Sequence, residues 1–274
     1  MVRAGLRLAA IWAAAFLLAG AMLAPFARGN DDDMALGHEA ATLAASGPEA
    51  VFIGSSLIGA AVPPVNAGGP ETPDLDWQRL FRNGADRHDL LIMAEAVTPY
   101  TRFLFVEAAA LLRAGGSDAV WPASVLFDFS RHLRNEARAV ADVEGADLLD
   151  LRRESEFVDR DDPVGPRSIP APDPLPVADL ARWRALAEVL AARGGALVLV
   201  DPPRVDLVLT RSDRDRRAQE QDHARTLAGQ MGAGLFQPAP WWEAGRFTTG
   251  GHMNRAGRAR FVQEFAAWLE RHDE

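Results

Sequence analysis

Two segments near opposite ends of the chain carry residue types that could do chemistry together. Ser56 follows the apolar run 51–53 within the sequence Gly-Ser-Ser-Leu, and His252 lies in a Gly-rich stretch near the C-terminus. A serine on a turn that opens a helix exposes its hydroxyl, and a histidine on a neighbouring loop can take the hydroxyl proton. The pair therefore indicates acyl chemistry through a serine nucleophile.

The elements that must position this pair follow an α/β pattern, in which short apolar runs alternate with helical stretches. We expect about five strands of a largely parallel sheet, at 51–53, 78–83, 103–107, 196–200 and 234–237. Helices are predicted at 57–61, 123–143, 177–193, 215–231 and 256–270. Ligands of such sheets bind beyond the carboxyl ends of the strands, so we expect Ser56, Gly84, Asp201 and the loop of His252 at one edge.

Composition narrows the classes of protein that could carry this site. The chain has 274 residues, of which 48% are hydrophobic, enough to bury one large core. Its net charge of -9 disfavours nucleic-acid binding, which needs a basic face to neutralise phosphates. The absence of cysteine excludes disulfides, a thiolate nucleophile and a cysteine zinc site. No group of histidine and acidic residues has metal-ligand spacing, so the sequence predicts neither a metal nor a cofactor.

Residues 1–28 predict an N-terminal membrane anchor. Two arginines precede the uncharged apolar stretch 8–27, which has about the 20 residues that a helix needs to span the hydrocarbon core. These arginines, with three aspartates at 31–33, orient the remainder of the chain outside the cytoplasm. We expect a single-pass inner-membrane protein with a periplasmic domain. The alternative is a signal peptide cleaved near residues 19–21, which would also export the domain.

Two further segments bound the folded domain. Residues 29–48 are polar and Ala-rich and predict a linker with one short helix at 34–45, so the domain is expected to occupy 49–274. Within it, residues 152–176 carry alternating charges followed by six prolines, a composition that predicts a long surface loop. Such a loop serves as a lid or binding loop about as often as it is a plain surface insertion.

The two motifs together resemble the SGNH/GDSL hydrolase superfamily. The resemblance rests on Gly-Ser-Ser-Leu at 54–57 and Gly-His-Met-Asn-Arg-Ala-Gly at 251–257, and it covers residues 49–271. It is closest to the membrane-anchored periplasmic branch, which includes acetyltransferase-like proteins of exopolysaccharide assembly. The resemblance implies a three-layer α/β/α flavodoxin-like fold. It also implies an acylated small molecule or glycan as substrate, and a membrane acyltransferase is among the partners that it suggests.

The resemblance also implies roles for individual residues. Ser56 corresponds to the nucleophile of the first block and His252 to the base of the last block. Ser55 stands where the family usually has aspartate. The backbone N–H groups of Ser56 and Gly84 would form the oxyanion hole, the second by a loose match to the second block.

The chain departs from the family pattern at two places. Thr249 occupies the position of the aspartate that precedes the histidine, and the run 106–110 has no asparagine after the third strand. The missing acid would fix the tautomer of the histidine, and its loss costs about 10⁴ in rate in a well-studied protease. Asp201, Glu243 and Asp213 are alternative orienting acids that the sequence does not rank.

Three hypotheses follow. The first is an exported serine esterase or O-acyltransferase that acts on acyl esters, with envelope or exopolysaccharide glycans among its substrates. The second is a catalytically degenerate relative that binds glycan or an envelope assembly partner, with Trp241 and Trp242 stacking on sugar rings. The third is a tethered structural domain in which both motifs are accidental, and it predicts that Ser56 and His252 lie far apart.

Overall fold

The computed structural model describes residues 30–64, 75–113, 172–207, 210–248 and 251–272, with backbone only for 30–35. The predicted anchor at 1–28, the predicted helix at 123–143, most of the Pro-rich loop and Thr249 lie outside these ranges. From Leu36 onward the described residues belong to one compact unit, Leu36–Gly115 with Leu148–Glu274. Among the residues described, no helix is long and apolar enough to cross a membrane.

A parallel five-stranded sheet forms the centre of this unit, as the alternating sequence pattern predicts. In chain order its strands are β1 (Ala50–Gly54), β2 (Trp77–Phe81), β3 (Phe103–Glu107), β4 (Ala196–Val200) and β6 (Gly234–Phe236). They are arranged in the order β2-β1-β3-β4-β6. The register aligns Gly54 with Phe81 and Glu107 with Val200, so the carboxyl ends of the central strands meet at one edge.

Two small strand pairs lie outside this sheet. The first is parallel and joins β5 (Arg204–Val205) to β7 (Trp241–Trp242). The second is an antiparallel hairpin of β8 (Phe247–Thr248) and β9 (His252–Met253). The hairpin places the predicted base just ahead of the last helix.

Seven α-helices are described, with the bounds α1 (Asn30–Ala44), α2 (Ser56–Ala61), α3 (Arg87–Val97), α4 (Ala108–Leu111), α5 (Val177–Ala191), α6 (Arg211–Met231) and α7 (Arg255–Glu270). Local sequence sets several of their ends. A capping box formed by Asp86 and Asp89 begins α3, and Gly232, in the left-handed conformation, ends α6. Neither α3 nor α4 was predicted, and the four residues of α4 carry too little periodicity to recognise.

Helices cover both faces of the sheet and bury a separate core on each. Val51 and Ile53 of β1 pack with α1, α3, α4, α5 and α6, whereas Phe52 packs with α2 and α7 on the other face. Successive side chains of a strand point to opposite faces, so a strand covered on both sides is apolar throughout. This explains the continuous apolar runs by which the strands were predicted.

The packed unit begins before residue 49, where the sequence analysis placed the start of the domain. Helix α1 occupies most of the segment 29–48, which was expected to be a linker with one short helix at 34–45, and Leu36, Ala40 and Ala44 on it are completely buried. These residues recur every four positions and form a stripe along one side of the helix. A stripe made mostly of alanine carries a weak hydrophobic signal, which is why this segment reads as a linker.

Candidate active site

The turn that carries Ser56 joins β1 directly to α2. Ser55 is the N-cap of α2, and its Oγ accepts a hydrogen bond from the backbone N–H of Leu57 at 3.3 Å. Ser56 is the first residue of the helix and is partly exposed. Gly54 is required for close packing, since a Cβ there would lie 2.4 Å from the side chain of Ile58. The small residues of the motif thus allow a tight turn that leaves the Ser56 hydroxyl accessible.

The β8–β9 hairpin and the start of α7 position His252. Gly251 has φ of +73°, a left-handed conformation that suits glycine at the entry to β9. Asn254 caps α7, because its Oδ1 accepts from the N–H of Gly257 at 3.0 Å while its Nδ2 donates to the carbonyl of Gly245 at 2.9 Å. His252 itself is only 5% exposed. The imidazole is therefore held by a rigid hairpin and a capped helix.

The structure brings the two predicted residues together. The Nε2 atom of His252 lies 2.9 Å from the Oγ of Ser56, which is hydrogen-bond distance. This arrangement allows the imidazole to take the proton of the hydroxyl. The backbone N–H of Ser56 donates to none of the described groups, so it is free to bind an oxyanion.

Two buried arginines hold α2 in place from its other end. Arg258, on α7, donates from Nε to the carbonyl of Ala60 at 2.9 Å, and Arg79, on β2, donates to the carbonyl of Val62 at 2.6 Å. A cation is favourable at these carbonyls, which carry the negative end of the helix dipole. Arg258 ties the helix that bears Ser56 to the helix that follows His252.

Gly84 lies in the turn after β2, with φ of +74° and an exposed backbone. The N–H of Arg82 donates to the carbonyl of Gly54 at 3.1 Å, which joins the start of this turn to the end of β1. Gly84 and Ser56 thus follow neighbouring strands at the same edge, as predicted. The role of Gly84 as an oxyanion donor stays a prediction.

Asp201, one of the proposed orienting acids, is engaged in a buried ion-pair network. It is completely buried after β4, its Oδ1 lies 2.7 Å from Nη1 of Arg217, and its Oδ2 accepts from Gln237 at 3.0 Å. Arg217 also pairs with the buried Glu220 at 2.7 Å. Burial tends to lower the pKa of Arg217, but the two carboxylates outweigh it and raise that pKa, so the arginine stays charged.

The other two acids also have partners of their own. Glu243 is exposed, with Arg246 at 2.8 Å and Arg260 at 3.1 Å. The hydrogen bond from Arg246 is the largest cause of a lowered pKa at Glu243. Asp213 forms a capping box with Thr210 at the start of α6. None of the three predicted acids is shown orienting His252, and each has a structural role elsewhere.

Glu107 is a residue of the site that the sequence analysis missed. This last residue of β3 is completely buried, and its carboxylate accepts from the backbone N–H of Ser55 at 2.7 Å and from the Ser55 Oγ at 2.8 Å. Burial raises the pKa of Glu107, although the bonds from Ser55 oppose this. A carboxylate at the end of an apolar strand was the available signal, although the more conspicuous feature of the run 106–110 is its lack of asparagine.

The tryptophans that were considered for sugar stacking are in contact with arginines. Trp242 is buried, and the guanidinium of Arg260 lies 4.2 Å from its ring centre. Trp241 is partly buried, with the guanidinium of Arg214 at 5.7 Å from its ring centre. Cation–π contacts of this kind cover one ring face of each tryptophan, so the structure gives no particular support to a sugar site there.

Comparison with family models, with curated proteins and with solved structures finds no match to this chain. The resemblance to the SGNH superfamily therefore rests on the two motifs and stays a prediction. Within the described ranges, no group of three or more histidine and acidic side chains could hold a metal ion.

Proposed function

We propose that this protein is an exported serine esterase or O-acyltransferase of the SGNH type, acting on acyl esters. The observation that carries the proposal is the 2.9 Å contact between the Oγ of Ser56 and the Nε2 of His252. Supporting it, the strand order corresponds to the flavodoxin-like order 2-1-3-4-5, in which ligands bind at the carboxyl edge. Both residues lie at that edge.

The first half of the proposed reaction acylates the enzyme. The Ser56 oxygen attacks the ester carbonyl while its proton passes to Nε2 of His252, which requires the neutral imidazole to carry its own proton on Nδ1. The negative charge that develops on the carbonyl oxygen is stabilised by the N–H of Ser56, and we assign the N–H of Gly84 as the second donor. The imidazolium then donates its proton to the departing alkoxide, leaving an acyl ester on Ser56.

The second half transfers the acyl group to an acceptor. Water or a sugar hydroxyl loses its proton to the neutral imidazole of His252 and attacks the acyl ester, and the proton then returns to Ser56. Hydrolysis and transfer use the same catalytic groups and differ only in the acceptor. We therefore propose an acylated small molecule, or an acylated glycan of the envelope or of an exopolysaccharide, as the substrate class.

The proposed reacting groups are the Ser56 hydroxyl and the His252 imidazole. Asp201 and Glu243, which could have completed a triad, are bound by arginine side chains. Because the substrate is proposed only as a chemical class, acylation by a highly reactive probe is a more direct assay than steady-state hydrolysis.

The test is covalent labelling of the full-length protein in detergent with a fluorophosphonate, which reacts with activated serines. Mass spectrometry of peptides is expected to place the adduct on Ser56. Ser56→Ala should remain unlabelled, whereas Ser46→Ala, a matched control at a serine bonded to the carbonyl of Leu43, should label like the wild type. A folded wild-type protein that acquires no adduct on Ser56 would refute the proposal.

Export and anchoring form a separate part of the proposal and rest on residues 1–28. A C-terminal reporter that is active only in the periplasm should be active when fused to the full chain. Membrane fractionation then separates an uncleaved anchor from a cleaved signal peptide. Reporter activity confined to the cytoplasm would contradict export without bearing on Ser56.

A further inference from the structure

A single buried carboxylate lies behind the turn that carries Ser56. Glu107 ends β3, next to β1, and none of its surface is exposed. Its Oε2 accepts from the N–H of Ser55 at 2.7 Å and lies 2.8 Å from the Ser55 Oγ, while its Oε1 lies 2.9 Å from that Oγ. Ser55 thus meets this carboxylate with both its backbone and its side chain.

Glu107 forms no ion pair with any side chain that the structure describes. Arg113 and Arg204 are the nearby cations that act on its charge. Arg113 donates to the carbonyl of Ala85 at 3.3 Å, however, and Arg204 pairs with Glu220 at 3.0 Å. Among the described residues, Ser55 supplies the hydrogen bonds to Glu107. The bonds from Ser55 and the charges of the two arginines only partly offset the cost of burying this carboxylate, because its pKa remains raised, so stability alone does not account for it.

These bonds fix which donors of the first turn of α2 remain available. The N–H of Ser55 is directed backwards to Glu107, and the N–H of Leu57 is taken by the Ser55 Oγ at 3.3 Å. The N–H of Ser56, between them, is left for the oxyanion, and its Oγ is left for His252 at 2.9 Å. The orientation of the Ser55 peptide and hydroxyl therefore sets the direction of both reactive groups of Ser56.

We propose that Glu107 is a positioning residue, which holds Ser55 so that the Oγ and the N–H of Ser56 point into the site. The proposal rests on the proposed function for its effect on reactivity. The arrangement of Ser55 itself is a separate structural claim. A direct measurement of the turn can therefore test it even if Ser56 proves unreactive.

The first measurement is the rate of fluorophosphonate labelling of Ser56 in the full-length protein. Glu107→Ala should lower the rate at least about tenfold, because a displacement of about 1 Å can cost 10²-fold in reactivity. Glu107→Gln keeps an oxygen to accept from Ser55 and should restore the rate to within about threefold of wild type. Glu220→Gln is the matched control, a buried carboxylate of the arginine network that should lose stability but not labelling rate.

The second measurement is hydrogen exchange by mass spectrometry on the same proteins. Peptides that cover Ser55 to Leu57 should exchange faster in Glu107→Ala than in wild type, with protection restored in Glu107→Gln. If wild-type Ser56 takes no label, the proposed function fails and the exchange result alone decides the role of Glu107. Unchanged protection in a folded Glu107→Ala protein, or wild-type labelling of it, would overturn the inference.

Discussion

Gly257→Ala is expected to displace the start of α7 and, with it, the hairpin that holds His252. A Cβ at Gly257 would lie 2.2 Å from the carbonyl oxygen of Arg246 and 3.2 Å from the Cβ of Met253. Close contacts between carbon and oxygen need about 3.3 Å, so the two backbones must separate by about 1 Å. The same movement strains the bond from the N–H of Asn254 to that carbonyl, which is 3.1 Å long.

The size of the effect follows from two opposing terms. Overpacking lowers the free energy of unfolding by about 1–3 kcal/mol. The full cost applies here because the added Cβ meets the backbone carbonyl of Arg246, which cannot rotate away as a side chain can. Alanine gains about 1 kcal/mol over glycine in helix propensity. The difference is a net loss of up to about 2 kcal/mol, which corresponds to a fall in Tm of up to about 8 °C for a domain of this size. Labelling of Ser56 should slow at least about tenfold, because His252 shifts relative to the hydroxyl.

The assay compares Gly257→Ala with Gly229→Ala, a matched change in the last turn of α6 where an added Cβ meets nothing within 4 Å. The free energy of unfolding of the control should rise by about 0.5–1 kcal/mol, and its Ser56 should be labelled at the wild-type rate. Tm follows from tryptophan fluorescence, and the labelling rate from mass spectrometry. A Gly257→Ala protein that melts at or above the wild-type temperature and labels normally would refute the packing argument.

Three further predictions concern buried charges. Arg258→Met removes charged donors from the last carbonyls of α2 and should cost about 1.5–3 kcal/mol in urea unfolding. The exposed Arg271→Met should change stability by less than about 0.5 kcal/mol, and equal effects would contradict this account. Arg217→Met leaves the buried Asp201 without its arginine and Glu220 with Arg204 alone, and it should cost about 3–5 kcal/mol, so a Tm close to that of the wild type would contradict the network.

The third of these predictions is a dependence of stability on pH. Burial raises the pKa of Glu107 above its ordinary value of 4.5. The wild type should therefore lose stability relative to Glu107→Gln as pH rises from that value through the raised pKa, by at most about 1.4 kcal/mol per pH unit. The difference in Tm between the two proteins, followed across pH, should level off above the raised pKa, and a difference independent of pH would contradict the raised pKa.

The sequence predicts the sheet well because its strands are buried on both faces. A five-residue apolar run such as 196–200, with glycines before it and Asp201 after it, is too short for a helix and is predicted to be a buried strand. The structure has a strand with those bounds. Each crossover connection of a parallel sheet returns the chain to the edge at which the previous strand began. The carboxyl ends of β1 and β2 must therefore lie at the same edge. The meeting of Ser56 with His252 could be anticipated from this topology together with the resemblance.

What the sequence does not reveal are contacts between residues far apart in the chain. Glu107 lies 52 positions from Ser55, and nothing local marks it as a partner of the first turn. Asp201 and Glu243 have a position in sequence that suits an orienting acid, but the arginines that bind them come from helices α6 and α7 and from a short turn. Because arginine is frequent in this chain, its pairing with particular carboxylates is decided only by tertiary packing.

The measurement that tests the central claim most directly is the fluorophosphonate labelling rate of wild type against His252→Ala, with the adduct located by mass spectrometry. General-base catalysis typically contributes about 10²–10⁴ in rate. If Ser56 and His252 form a catalytic dyad, wild type should be labelled on Ser56, and the variant at least about 100-fold more slowly. Equal rates in the two folded proteins, or an adduct on another residue, would contradict the dyad.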